Sequence, residues 1–132
     1  MEFYGIDVSH YQGNIDWNAV AKTGINFAFV KAGGSEDGIY TESMFEKNYA
    51  GAKAAGLNVG AYYFPGPNFT SEEAGIADAR RFLDIIAGKK FEMPVAIDLE
   101  GTEPEDKDGA TVATIAFCKV MEAAGYYAMI YG

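Results

Sequence analysis

Residues 94–100 decide how the chain is interpreted, and they read Pro94-Val95-Ala96-Ile97-Asp98-Leu99-Glu100. A short apolar run of this kind is typical of a buried β-strand, and this one ends with two acidic residues two positions apart. Side chains at positions i and i+2 of a strand share a face, so Asp98 and Glu100 should point the same way at its carboxyl end. Two neighbouring carboxylates repel, and one should keep its proton to a higher pH than an isolated acid. A carboxylic acid beside a carboxylate is the pair that glycoside hydrolysis uses.

The same unit of strand, loop, helix and glycine repeats along the chain. Glycines that follow helical patterns precede three of the predicted strands, as expected for helix ends in the left-handed conformation. Capping signals predict the helix starts at Asp16, Ser43 with Glu46, Thr70 with Glu73, and Asp108. Strands are predicted to begin near Phe3, Phe27, Val59, Val95 and Ala128, roughly 24 to 36 residues apart, which is the size of one βαβ step.

The sequence therefore predicts a parallel α/β domain with five strands and four helices, arranged either as an open doubly wound sheet or as a barrel. No glycine-rich phosphate loop follows the first strand, which argues against a dinucleotide-binding fold. Polar residues instead follow the predicted strands at Asp7, Lys31, Asp98 and Glu100. Because the active site of a βα barrel lies at the carboxyl ends of its strands, this placement favours a barrel-type domain.

Composition limits the classes of function. The 132 residues are enough for a single domain, residues 1–132, with a substantial core. A formal charge of −9 with only ten scattered basic residues argues against a nucleic-acid partner. No apolar run approaches the roughly 20 residues of a membrane span, so no membrane partner is expected. The single cysteine, Cys118, cannot form an intramolecular disulfide, and the amino terminus lacks the features of an export signal, which is either absent or removed.

Four ordered segments make the chain resemble glycoside hydrolase family 25, the lysozymes that cut peptidoglycan at N-acetylmuramic acid. The segments are Gly5-Ile6-Asp7-Val8-Ser9-His10-Tyr11-Gln12-Gly13 with Ile15-Asp16-Trp17, then Phe27-Ala28-Phe29-Val30-Lys31-Ala32, then Gly60-Ala61-Tyr62-Tyr63-Phe64, and finally residues 94–100. The resemblance implies an irregular eight-stranded barrel with fewer than eight helices. It also implies a bacterial cell-wall substrate, an extracellular or cell-wall location, and catalysis without a metal or organic cofactor.

The resemblance also implies roles for individual residues. Glu100 would protonate the leaving sugar oxygen. Asp98 would be its partner carboxylate, which either stabilises the oxocarbenium-like transition state or orients the N-acetyl group of the substrate as an internal nucleophile. Asp7 would line the same pocket, and Tyr62 would pack on a sugar ring. Hydrolysis of the β-1,4 bond between N-acetylmuramic acid and N-acetylglucosamine is the reaction that the resemblance implies.

Several residues near these segments allow more than one interpretation. A buried Lys31 needs a carboxylate partner, and Asp7 or Glu100 across the barrel mouth could serve. His10, the only histidine, is interpreted as a sugar-contacting residue, as is Tyr11. Asp7, Asp98 and Glu100 could alternatively ligate Mg²⁺ or Ca²⁺, although no further ligand clearly completes a shell. The acidic loop at residues 103–108 is interpreted as solvated.

The chain departs from the family in length, since domains of the family are longer and their later strands have no counterpart here. Five strands cannot close an eight-stranded barrel, so the two outer strands would be left unpaired. Three explanations remain: a fragment, pairing with a second copy through the open edges, or rearrangement into an open sheet. An alternative function follows, that of an inactive family member that binds cell-wall glycan or self-associates.

Overall fold

The computed structural model describes residues 4–35, 38–99 and 106–131. Its strands are β1 (Gly5–Val8), β2 (Phe27–Gly34), β3 (Tyr40–Thr41), β4 (Asn58–Phe64), β5 (Val95–Asp98) and β6 (Ala128–Tyr131). Its helices are α1 (Trp17–Lys22), α2 (Phe45–Ala54), α3 (Glu72–Ile86) and α4 (Lys107–Ala123), and a 3₁₀ turn at His10–Gln12 follows β1. The five predicted parallel strands and four predicted helices are thus confirmed.

The strands form one sheet in the order β1-β2-β4-β5-β6, and every pair in this order is parallel. The two-residue strand β3 lies antiparallel against the end of β2 and was not predicted. A doubly wound sheet reverses its strand order at a switch point, whereas here each parallel strand lies beside the preceding parallel strand. The order therefore selects the barrel-type arrangement over the doubly wound one.

The sheet is not closed. Strands β1 and β6 end the strand order, and within residues 4–35, 38–99 and 106–131 no backbone pairing joins them. This agrees with the prediction of an incomplete barrel. Each of the two outer strands thus has one described neighbour in the sheet, β2 for β1 and β5 for β6.

The helices cover one face of the sheet and bury an aromatic cluster against it. Tyr63 of β4 packs against Phe82 of α3 and Phe117 of α4, with ring centroids 5.7 and 6.1 Å away. All three side chains are at most 1% exposed. Burying one large apolar side chain contributes about 1.5–3 kcal/mol, so this cluster is a main anchor of α3 and α4 on the sheet.

Helices α3 and α4 approach each other closely at Gly75. A Cβ atom at this position would lie 2.2 Å from the carbonyl oxygen of Ala113 on α4, far inside van der Waals contact. The absence of a side chain at residue 75 therefore sets the separation of the two helices.

The helix starts only partly follow the sequence-based prediction. Asp16 caps α1 as predicted, and its carboxylate accepts the amide N–H of Ala19 at 3.1 Å. The other three predictions were wrong by one or two residues, because the N-cap is the last non-helical residue and these helices begin at Phe45, Glu72 and Lys107. The observed N-cap residues are Met44 without a side-chain bond, Ser71 and Asp106, in place of Ser43, Thr70 and Asp108.

None of the helices in the described part of the chain has the length and apolar character that crossing a membrane requires.

Candidate active site

A cavity of about 470 Å³ opens on the face of the sheet that the helices leave uncovered. Alternate residues of the parallel strands line it, because side chains two positions apart share a face. Asp7 of β1, Phe29 of β2, Tyr62 of β4 and Asp98 of β5 are among them. Gly60 makes room for the ring of Phe29, since a Cβ there would lie 2.7 Å from a ring carbon. The cavity is thus the interior of the incomplete barrel.

Among the described residues, Asp98 and Asp7 are the two acids that line this cavity. Asp98 ends β5 opposite Tyr131 of β6 and is 8% exposed. Asp7 lies on β1 and is more open to solvent than Asp98. Partial burial of its carboxyl group, and secondly the negative charge of Asp98, raise the pKa of Asp7 above its ordinary value. The two carboxyl groups are therefore close enough to influence each other, as predicted for acids that share one pocket.

Glu100 lies outside the described residues, as do residues 101–105, so its predicted orientation beside Asp98 stays a prediction. Of the acidic loop, Asp106, Lys107 and Asp108 are described, and they are exposed where α4 begins. This exposure fits the interpretation of that end of the loop as solvated.

Tyr62 lines the cavity from β4. Its hydroxyl donates to the carbonyl oxygen of Val8 at 3.5 Å, which is at the outer limit of a hydrogen bond. The ring is half-buried and therefore keeps some surface available to the cavity. Its predicted contact with a sugar ring stays a prediction.

Lys31 is 6% exposed, and it shares a strand face with Phe29 of the cavity. Its ammonium group lies over two aromatic rings, 5.2 Å from the centroid of Tyr40 and 4.9 Å from that of Phe64. Cation–π contacts of this kind stabilise a charge that has been withdrawn from water. The predicted pairing with Asp7 or Glu100 stays a prediction.

His10 and Tyr11 lie in the 3₁₀ turn that follows β1. Their ring centroids are 4.2 Å apart, and Tyr11 is 81% exposed. The Nδ1 atom of His10 lies 2.7 Å from Oε1 of Glu42, whose side chain is fully buried. No sequence pattern singles out Glu42, because its partner is 32 residues away along the chain and no motif links the two.

A second polar cluster was also missed, and it connects the loops at the carboxyl end of the sheet. The buried carboxylate of Asp78 on α3 accepts hydrogen bonds from the hydroxyl groups of Tyr63, at 2.9 Å, and Ser35, at 3.2 Å. It also forms an ion pair with Arg81. The hydroxyl of Ser35 in turn accepts the amide N–H of Gly66 at 2.9 Å. The loops that follow β2 and β4 are thus held to one helix. The spacing of Asp78 and Arg81 predicts a helical ion pair but not its burial.

Within the described ranges, no three His, Cys, Asp or Glu side chains come together as a metal-binding group would. The alternative metal site of Asp7, Asp98 and Glu100 includes one residue outside those ranges.

The chain is similar to known proteins over most of its length. The model of the family "Glycosyl hydrolases family 25" matches residues 6–132. Lysozyme M1 of Streptomyces globisporus is 39% identical over 99 residues, which cover 73% of this chain and 32% of that protein. The autolytic lysozyme of Clostridium acetobutylicum is 37% identical over 98 residues, which cover 74% of this chain and 28% of that protein.

The fold is similar to solved structures as well. A family 25 glycosyl hydrolase from Bacillus anthracis superimposes with a TM-score of 0.74 and 28% identity, covering 98% of this chain and 60% of that one. The matched part of the chain therefore spans about a third of the length of these two lysozymes and less than two thirds of this structural neighbour.

Proposed function

The chain belongs to glycosyl hydrolase family 25, and from this premise we propose that the protein is a muramidase. The proposed reaction is hydrolysis of the β-1,4 bond between N-acetylmuramic acid and N-acetylglucosamine in bacterial peptidoglycan. The observation that carries the proposal is that two acids, Asp7 and Asp98, lie in one cavity and are electrostatically coupled. Acid catalysis of glycoside cleavage requires two carboxyl groups that lie in one cavity but in different environments.

In the proposed mechanism, Glu100 is the general acid that protonates the leaving glycosidic oxygen. The carboxylate of Asp98 acts on the sugar from which the oxygen departs. It either stabilises the positive charge that develops at the anomeric carbon or orients the N-acetyl group of the substrate as internal nucleophile. Burial of Asp98 supports this role, because a carboxylate withdrawn from water acts more strongly on a developing charge.

Asp7 is proposed to support the same site from β1. Its raised pKa means that it holds a proton to a higher pH than an isolated aspartate. A neutral Asp7 would donate a hydrogen bond to a sugar hydroxyl or N-acetyl oxygen, whereas an ionised one would add negative charge beside Asp98. Acid catalysis of this kind uses side chains and water, so the proposal includes no metal and no organic cofactor.

The cavity supports a saccharide as the substrate. Its walls are largely apolar and include the half-buried ring of Tyr62. Such walls suit the apolar faces of pyranose rings, while the carboxyl groups suit their hydroxyl and amide groups. Peptidoglycan lies outside the cytoplasmic membrane of bacteria, so we propose that the protein acts in the extracellular space or at the cell wall.

A second function is favoured by the unclosed sheet. Because β1 and β6 are not paired with each other within the described ranges, the chain could bind glycan or self-associate without hydrolysing it. This alternative makes a distinct prediction, since binding would persist when turnover is absent.

The test compares lysis of purified cell walls, followed as loss of turbidity, with glycan binding by the same preparation. Glu100→Gln and Asp98→Asn should each reduce lysis by about 10²–10⁴-fold. The matched controls Glu46→Gln and Asp84→Asn change exposed acids on the helices and should leave lysis unchanged. Circular dichroism should show the same folded signal for all four variants.

Three outcomes separate the two functions. Lysis by the wild type that Glu100→Gln abolishes supports the muramidase. Glycan binding without lysis in the wild type supports the inactive binding protein, and light scattering then reports whether it forms oligomers. Lysis that is undiminished in Glu100→Gln contradicts the proposed role of Glu100.

A further inference from the structure

Glu42 is a buried carboxylate that the proposed mechanism does not use. It directly follows β3, and its side chain is 0% exposed. Its own amide N–H donates to the carbonyl oxygen of Ala32 at 2.8 Å, which fixes it at the carboxyl end of β2. A buried carboxylate is costly unless hydrogen bonds satisfy its oxygens, so its partners indicate what it is for.

The partner of Glu42 is His10, which approaches it through two N–H groups. The backbone amide of His10 donates to Oε1 at 3.0 Å. The ring atom Nδ1 lies 2.7 Å from Oε1 and 3.0 Å from Oε2. An ionised carboxylate only accepts hydrogen bonds, so Nδ1 must carry a proton for these contacts to be favourable. The carboxylate therefore fixes both the orientation and the tautomer of the imidazole.

The other side of the imidazole faces outward. The side chain of His10 is 44% exposed, and the hydrogen bonds among the described residues include none to its Nε2 atom. The ring of Tyr11 lies beside it at 4.2 Å and an angle of 32°. The turn that carries both rings is rigid, because Ser9 and Gln12 form a reciprocal capping box around it.

This pair of rings lies beyond the carboxyl end of β1, one of the strands that line the cavity. The 3₁₀ turn begins two residues after Val8, whose carbonyl oxygen accepts the hydroxyl of the cavity residue Tyr62. The turn follows β1 at the carboxyl end of the sheet. Glu42 is bonded to Ala32 near the same end of β2, and Asp98 ends β5 there. A chain of sugars that enters the cavity from this end would pass the two rings.

We propose that Glu42 is a positioning residue, which holds His10 so that its Nε2 and the ring of Tyr11 together receive one saccharide unit of a glycan at the cavity mouth. The ring of Tyr11 contacts the apolar face of the pyranose. Nε2 bonds a sugar hydroxyl, accepting from it when the imidazole is neutral and donating to it when the imidazole is protonated. This inference rests on the proposed function, since it assumes that the cavity takes a glycan.

The first arm of the test measures which nitrogen of the His10 imidazole carries the proton. His10 is the only histidine of the chain, so its ¹⁵N signals need no assignment. At a pH where the ring is neutral, the wild type should show the tautomer protonated at Nδ1. Glu42→Leu, which removes the acceptor, should shift the signals toward the Nε2-protonated form that free imidazole prefers. Glu46→Gln, an exposed acid on α2, is the control and should leave them unchanged.

The second arm measures binding of a soluble tetrasaccharide of alternating N-acetylglucosamine and N-acetylmuramic acid by calorimetry, with Glu100→Gln present in every protein compared, the wild type included, so that the tetrasaccharide is not cleaved during the titration. His10→Ala, Tyr11→Ala and Glu42→Leu should each weaken binding by roughly two- to tenfold, the loss expected for one hydrogen bond or ring contact. Glu46→Gln should bind like the wild type. If Glu42→Leu fails to fold, the wild-type tautomer and the two ring variants still decide the question.

The outcomes distinguish this inference from the proposed function. A wild type that does not bind the tetrasaccharide contradicts both the proposed substrate and the saccharide contact of His10 and Tyr11. If the wild type binds and His10→Ala and Tyr11→Ala bind equally well, the saccharide contact of the two rings is wrong and the proposed substrate is unaffected. A neutral imidazole protonated at Nε2 in the wild type overturns the positioning role of Glu42.

Discussion

Asp7 and Asp98 line the same cavity although two strands of the sheet, β2 and β4, separate the strands that carry them. In a flat sheet, three strand spacings would place them about 14 Å apart. The charge of Asp98 nevertheless contributes to the raised pKa of Asp7. Because residues of all five parallel strands line this one cavity, the sheet curls toward its uncovered face, and this curvature brings two acids from distant parts of the sequence into one site.

The raised pKa of Asp7 predicts how stability depends on pH. The folded chain binds this proton more tightly than the unfolded chain does, so folding loses stability as the pH rises through the range between 3.8 and the raised pKa. Asp7→Asn removes the loss, and its melting temperature should exceed that of the wild type at neutral pH. The difference should disappear below pH 3.8. Thermal melts across this pH range measure it.

The control for this prediction is Asp84→Asn, which replaces an exposed acid on α3. Its melting temperature should not differ from that of the wild type in a way that depends on pH. In addition, Asp98→Asn should lower the pKa of Asp7 toward its ordinary value, which ¹³C signals of the carboxyl group report. An unchanged pKa in Asp98→Asn would show that the two acids are independent.

The lowered pKa of Glu92 predicts the opposite dependence of stability on pH. Partial burial acts to raise its pKa, but the hydrogen bonds from Lys53 and from the amide of Val59, at 3.0 Å, outweigh it and lower the pKa. This contribution to stability is present above pH 4.5 and is lost as the pH falls through the lowered pKa. Because the side chain of Glu92 is 40% exposed, Glu92→Gln should cost less than about 1 kcal/mol at neutral pH. Urea unfolding well below pH 4.5 should show no difference.

Gly75→Ala should destabilise the fold although alanine is the better helix former. Helix propensity alone would stabilise α3 by about 1 kcal/mol. The added Cβ, 2.2 Å from the Ala113 carbonyl oxygen, would force α3 and α4 apart, and we expect a net loss of about 1–3 kcal/mol in chemical unfolding. Ala77→Gly on the same helix tests propensity without this contact. A more stable Gly75→Ala variant would show that the helices separate freely.

Tyr63→Phe should destabilise the protein by about 1–2 kcal/mol, because it removes a hydrogen bond to the buried Asp78 carboxylate. Burial is also the main reason why the pKa of Tyr63 is raised to about 12. One tyrosine should therefore ionise late when the absorbance is followed at alkaline pH, and this late step should be missing in Tyr63→Phe. Tyr127→Phe, at a residue that is 78% exposed, should change neither stability nor the late step.

The sequence predicted the parallel strands and the helices because both have long periodic patterns. Strand β3 was missed because two residues are too few to show the alternating pattern of a strand. It forms only through pairing of Tyr40 and Thr41 with the end of β2. Three helix starts were misplaced by one or two residues, since several residues near each start can cap a helix.

The candidate site was predicted in part for a related reason. Asp7, Tyr62 and Asp98 are brought together because strand ends of a parallel sheet meet at one edge, a rule that needs no coordinates. The contact of His10 with Glu42 and the cluster around Asp78 depend on which loops meet in space, over separations of 32 and 43 residues. Local patterns carry no information about such pairs.

The order of the strands in the sheet also affects how the chain acquires its structure. Each parallel strand has as its neighbour the parallel strand made just before it, so every new βα unit emerging from a ribosome meets an edge that already exists. Domains are synthesised from the amino terminus, and pairings between nearby segments close quickly. The chain can therefore fold by successive addition, with β1 and β2 as the first template and β4, β5 and β6 added to it in turn.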